Sequence, residues 1–133
     1  MNYDDFNQFC DSLPATTHVV QWGSSHVWKV GGKVFAIGGW APDRQPAFTF
    51  KASDRNFAYL REHEGYRPAP YFANRGMQWI QQTETSGVLD EELRYYLTES
   101  YRIVLRGLSK RKQKELGADQ FLATVTETSG DLP

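Results

Sequence analysis

The chain has 133 residues and a mass of 15.3 kDa, with 40% hydrophobic and 23% charged residues, the size and composition of one ordinary globular domain. A net charge of −1 and a pI near 6.3 exclude a protein that coats nucleic acid with its whole surface, which needs a basic excess. The single cysteine, Cys10, excludes an intrachain disulfide and fits a reducing compartment. No apolar run approaches the ~18–20 residues of a membrane helix. The acidic start Met1-Asn2-Tyr3-Asp4-Asp5 lacks the basic-then-apolar order of a signal peptide, so the expected location is cytoplasmic.

Tyr3 to Leu13 reads as a short amphipathic helix, with Phe6, Phe9, Cys10 and Leu13 at helical spacing and Pro14 ending it. Cys10 lies on the apolar stripe, which predicts a buried structural thiol. The period then changes to two. Thr17 to Trp22 is a strand, Gly23-Ser24-Ser25 breaks it, and His26 to Val30 and Lys33 to Ile37 flank Gly31-Gly32. Two alternating runs about a Gly-Gly turn predict a β-hairpin, because both glycines accept positive φ. The aromatic-rich stretch from Trp22 to Trp40 is the most characteristic part of the chain. Alternation places Val34 and Ala36 opposite Phe35 and Ile37.

After a loop at Ala41 to Pro46, Ala47 to Lys51 is a fourth strand with Phe48 and Phe50 on one face. Asp54 is the expected N-cap of a helix over Arg55 to His63. The prolines of Tyr66-Arg67-Pro68-Ala69-Pro70-Tyr71 exclude a central strand, and Gly76 to Gln81 is a fifth strand. A long helix from Asp90 to Gly107 carries its acids first and its arginines last, matching the macrodipole. A short basic helix follows over Ser109 to Leu116. The expectation is one α+β domain over residues 1–117, an antiparallel sheet of about five strands with helices mainly on one face, and a frayed tail over 118–133.

Catalytic patterns are missing. His18, His26 and His63 show no zinc-ligand spacing, Ser24 and Ser25 lack a Gly-x-Ser-x-Gly elbow, and the paired glycines do not open a helix as a phosphate loop would. The expectation is therefore no enzyme, no metal and no cofactor. Two features remain. Lys29, Lys33 and Lys51 on the strands, with Lys110 and Arg111 after the long helix, could contact phosphates, or simply solvate a helix and protect sheet edges. Trp22, Trp28, Trp40, Trp79, Tyr66, Tyr71, Phe48 and Phe50 are mainly core material. Among them Trp22, Tyr71 and Trp79 are candidates to stack on a base or planar ligand.

Trp22-Gly23, Val27-Trp28-Lys29-Val30-Gly31-Gly32-Lys33-Val34-Phe35-Ala36 and Phe50-Lys51 together resemble the MmcQ/YjbR family. The resemblance continues through Pro68-Ala69-Pro70-Tyr71, Trp79, Ser100-Tyr101 and Leu108-Ser109-Lys110-Arg111, and so covers Phe6 to Leu116. It implies a frataxin-like (CyaY-like) two-layer sandwich and a DNA-binding, double-wing type of protein. It carries over no catalytic residue. Frataxins bind iron along an acidic first helix, whereas Asp4, Asp5 and Asp11 are too few here to transfer that role. The leading expectation is a non-enzymatic DNA-binding or regulatory accessory protein. The rival is a module binding a small ligand or protein in a pocket between the sheet and the Pro68 to Trp79 segment.

Overall fold

In the computed structural model the described residues are 1–39, 41, 46–72, 75–84 and 86–122. Trp40, most of the loop before Phe48 and the tail from Thr124 lie outside them. The first helix, α1 (Tyr3–Ser12), starts where the Asn2 side chain accepts from the Asp5 amide, a side-chain N-cap. Three strands follow, β1 (Thr16–Gln21), β2 (Ser25–Val30) and β3 (Lys33–Gly38), then β4 (Phe48–Lys51). Helix α2 (Asp54–Leu60) leads to β5 (Tyr66–Pro68) and β6 (Trp79–Gln82), and the chain continues through α3 (Asp90–Arg106) and α4 (Lys110–Glu115).

The strands form one antiparallel sheet in the order β1-β2-β3-β4-β6-β5. It has six strands rather than about five, because the proline-containing Tyr66–Pro68 segment pairs with β6. That segment is an edge strand, the position where a missing ladder donor costs least. Residue rows cross the sheet by register. One row, Trp28, Ala36, Phe50 and Ile80, joins Phe6, Phe48, Leu93, Leu97, Tyr101 and Leu105 in the core beneath α1 and α3. Burying each large apolar side chain there stabilises by roughly 1.5–3 kcal/mol. Gly38 is required, since a Cβ at that position would stand 2.8 Å from the Phe6 ring. The alternate row, Val27, Ile37, Thr49 and Gln81, is also fully buried. In it Arg67 donates to Gln81 Oε1, and Gln81 Nε2 donates to Thr49 Oγ1 at 2.9 Å.

Strict alternation fails on β3. The register steps from Trp28–Ala36 to Lys29–Val34, so Phe35 is the extra residue of a β-bulge. As a result Phe35 and Ala36, neighbours in sequence, are both buried in the same core. At α2 the N-cap is Ser53, whose hydroxyl accepts from the Asn56 amide, and Asp54 is the first helical residue. Packing also continues past Gly117: Ala118 is buried and Phe121 meets Tyr101 edge-on at 5.1 Å, with residues 119–122 helical.

Candidate functional site

The β2–β3 turn at Gly31-Gly32, with φ of 58° and 80°, marks one end of the sheet. Register brings Lys33, Lys51 and Trp79 to that same end. Helix α3 runs toward it, since Ser100 bonds Phe35 and Lys51 and Leu108 packs against Gly31. Helix α4 starts two residues beyond Leu108. Lys29, Lys33 and Lys51 lie on the strands toward this end, and the other three lysines of the chain, Lys110, Lys112 and Lys114, are on α4. Acidic residues mark the other. There the Met1 amino group holds Asp90 at 2.8 Å, the Tyr66 hydroxyl donates to Glu92 at 2.7 Å, and Asp4 and Asp5 open α1. The charges behind the net −1 are unevenly spread, although α4 also carries Glu115.

A cavity of about 440 Å³ opens at the basic end. Trp22, Val34, Phe72, Met77 and Trp79 line it with Ile103, Val104 and Leu108, and Lys33 and Lys51 are its cationic side chains. Phe72 stacks on Trp79 with ring centroids 4.9 Å apart and planes 17° from parallel. Trp79 is buried by that contact, whereas Trp22 is 42% exposed. Trp22 also holds φ of 54°, a left-handed conformation that is strained for a bulky side chain.

Four of the residues singled out from sequence, Trp22, Lys33, Lys51 and Trp79, therefore share one cavity. Lys29 is partly buried across from Val34. Lys110 and Arg111 open α4, where Arg111 Nε lies 3.3 Å from Glu115. Tyr71 is exposed and does not line the cavity; its neighbour Phe72 supplies the aromatic group from that segment. Trp28, Phe48 and Phe50 are core. Sequence reasoning missed Phe72, Met77 and the α3 residues, because their convergence depends on tertiary packing rather than on spacing.

The histidines behave differently from their wide spacing in sequence. Antiparallel pairing of β1 with β2 brings His18 Nε2 within 3.1 Å of His26 Nδ1, and the rings stack at 5.3 Å. Burial, then the His26 charge, hold His18 below its usual pKa, with Asp11 opposing them. Among the described residues no group of three or more His, Cys, Asp or Glu is placed to hold a metal ion, and no helix is long and apolar enough to cross a membrane. Cys10 is fully buried on the inner face of α1, and that burial pushes its thiol pKa far up.

The structure is similar to the crystal structure of Deinococcus radiodurans protein DR2400, a DUF419-domain protein, with a TM-score of 0.74 and 26% identity. The match covers 87% of this chain and 88% of that one. No curated protein matches the sequence. The YjbR family model matches residues 11–103, a span that contains the hairpin, the whole sheet and most of α3. This chain belongs to the YjbR family.

Proposed function

We propose that this protein binds DNA through its lysine-bearing end, as a non-enzymatic accessory or regulatory protein acting in the cytoplasm. The observation that carries this reading is the meeting of Lys33 and Lys51 with Trp22 and Trp79 in one cavity, with the lysine-rich α4 following closely on its wall residue Leu108. Ammonium groups there neutralise phosphates, while the half-exposed Trp22 offers a face on which a base can stack. The acidic opposite end keeps the interaction local and orients the approach.

Fluorescence anisotropy with short single- and double-stranded oligonucleotides at low salt tests the reading. Log K should fall with log salt by roughly 0.7 to 0.9 per phosphate neutralised. A Lys33→Ala, Lys51→Ala double variant should lose affinity, whereas Arg94→Ala, near the start of α3, should not. Absence of binding to either oligonucleotide at low salt rejects it.

A second reading, a small-ligand module, is favoured by the cavity itself: its size lies within the ~300–1,000 Å³ of ordinary ligand sites and most of its lining residues are apolar. It expects a metabolite that stabilises the wild type against heat but not a Trp79→Ala variant, with no oligonucleotide binding.

A further inference from the structure

We propose that the cleft between α2 and α3, separate from the tryptophan cavity, binds a small phosphorylated ligand such as a sugar phosphate. The last turns of α3 present two chemically distinct sides. Ile103, Val104 and Gly107 line the tryptophan cavity, whereas Glu99, Arg102 and Arg106 line a second cavity of about 590 Å³. Arg55 reaches this cleft from α2. Three guanidinium groups therefore meet one carboxylate.

That carboxylate is committed. Glu99 Oε1 accepts from Arg102 Nη1 at 2.8 Å, and the Arg102 side chain is only 7% exposed. Among the described residues Arg55 and Arg106 form no ion pair. The cleft thus retains two positive charges beyond its internal pair. Guanidinium groups present planar N–H forks that match phosphate oxygens.

Tyrosines supply the rest of the recognition chemistry. Tyr59, Tyr95 and Tyr96 border the cleft together with Arg55, Glu99, Arg102 and Arg106. Phenol groups offer both a donor and an acceptor to sugar hydroxyls, and their ring faces can pack on a sugar ring. Burial holds the hydroxyls of Tyr95 and Tyr96 above their ordinary pKa, and the Tyr95 hydroxyl also bonds Glu99. A DNA phosphate would satisfy the arginines as well. The phenols bordering the cleft can pack on a sugar ring, which favours a compact monoester, and the experiment separates the two sources.

Backbone-amide NMR titrations of the full chain with ribose 5-phosphate, ribose and inorganic phosphate test the proposal. Ribose 5-phosphate should shift amides of 53–59 and 95–106, inorganic phosphate should do so more weakly, and ribose should not. Arg55→Gln and Arg106→Gln, both at exposed positions, should each weaken ribose 5-phosphate by about tenfold, the loss of one charge-assisted hydrogen bond. Glu99→Gln should tighten it, because Arg102 loses its internal anion, and a merely structural role for these residues would not produce that opposite sign. Lys33→Ala should leave it unchanged, so failure of the DNA reading and failure of this one are distinguishable. Equal responses to ribose and ribose 5-phosphate overturn the proposal. So do shifts confined to residues 29–33 and 108–114, or binding by oligonucleotide alone.

Discussion

The Ser100 hydroxyl donates to the Phe35 carbonyl at 2.6 Å. The same oxygen accepts from the Lys51 amide at 2.9 Å. Phe35 is the bulged residue of β3, and Ala36–Phe50 is the last paired position before it on β3 and β4. Ser100 therefore bridges two strands where their own ladder stops, and it ties α3 to the rim residue Lys51. A buried hydroxyl that both donates and accepts satisfies two backbone groups at once.

Ser100→Ala should accordingly destabilise the fold by about 1–3 kcal/mol, the cost of leaving buried polar groups unsatisfied. Denaturant unfolding measures the loss, and hydrogen exchange at the Lys51 amide should accelerate more than at Thr49. A midpoint equal to that of the wild type would show that the bridge contributes nothing.

Much of this architecture is written locally. The Gly31-Gly32 turn, the alternation of β2 and the acidic-to-basic polarity of α3 each follow from residues that are neighbours in sequence. The prolines of Tyr66–Pro68 forbid a central strand, and the structure uses that segment as an edge. The bulge at Phe35 was not legible, because the group that receives its carbonyl, the Ser100 hydroxyl, lies 65 residues away. The candidate site was half legible for the same reason. Trp22, Lys33, Lys51 and Trp79 stand out by residue type, but Phe72 and Met77 become wall residues only through tertiary contact, Phe72 by stacking on Trp79. The arginine side of α3 was hidden because Arg102 and Arg106 also serve as ordinary dipole-matching residues at a helix end.

The stacked His18–His26 pair predicts a loss of stability in mild acid. Unfolded, His18 takes up its proton near 6.5, whereas the folded side chain, facing His26, Trp28 and Asp11, does so only at lower pH. Between those values the unfolded state binds more protons, so stability falls as pH falls and is unaffected above the unfolded pKa. Urea midpoints at about pH 7.5 and about pH 5.5 should differ more for the wild type than for His18→Gln. An equal drop in both proteins would assign the acid sensitivity elsewhere.

Cys10 should be chemically silent in the native state. Thiolate is the reactive form, and burial on the inner face of α1 both blocks access and pushes the thiol pKa far up. Labelling by a soluble disulfide reagent should therefore proceed at the rate of protein opening and accelerate in denaturant. Immediate stoichiometric labelling of the folded protein would instead mark Cys10 as an accessible nucleophile.

Trp22 joins a strained backbone to an exposed ring in the wall of the basic cavity. At an ordinary position glycine is less stable than alanine, because its unfolded chain has more freedom to lose. At φ of 54° the order should reverse, since an L side chain there costs about 1–2 kcal/mol that glycine avoids. Trp22→Gly should thus be more stable than Trp22→Ala by roughly 1 kcal/mol, read from paired denaturation curves. Both variants lack the indole, so both should weaken oligonucleotide binding by a similar factor, about 1–3 kcal/mol for one lost stacking platform. A variant that gained stability and kept full affinity would separate the strain at Trp22 from ligand contact; a gain in stability with a loss in affinity is the result expected if the strained turn exists to present the ring.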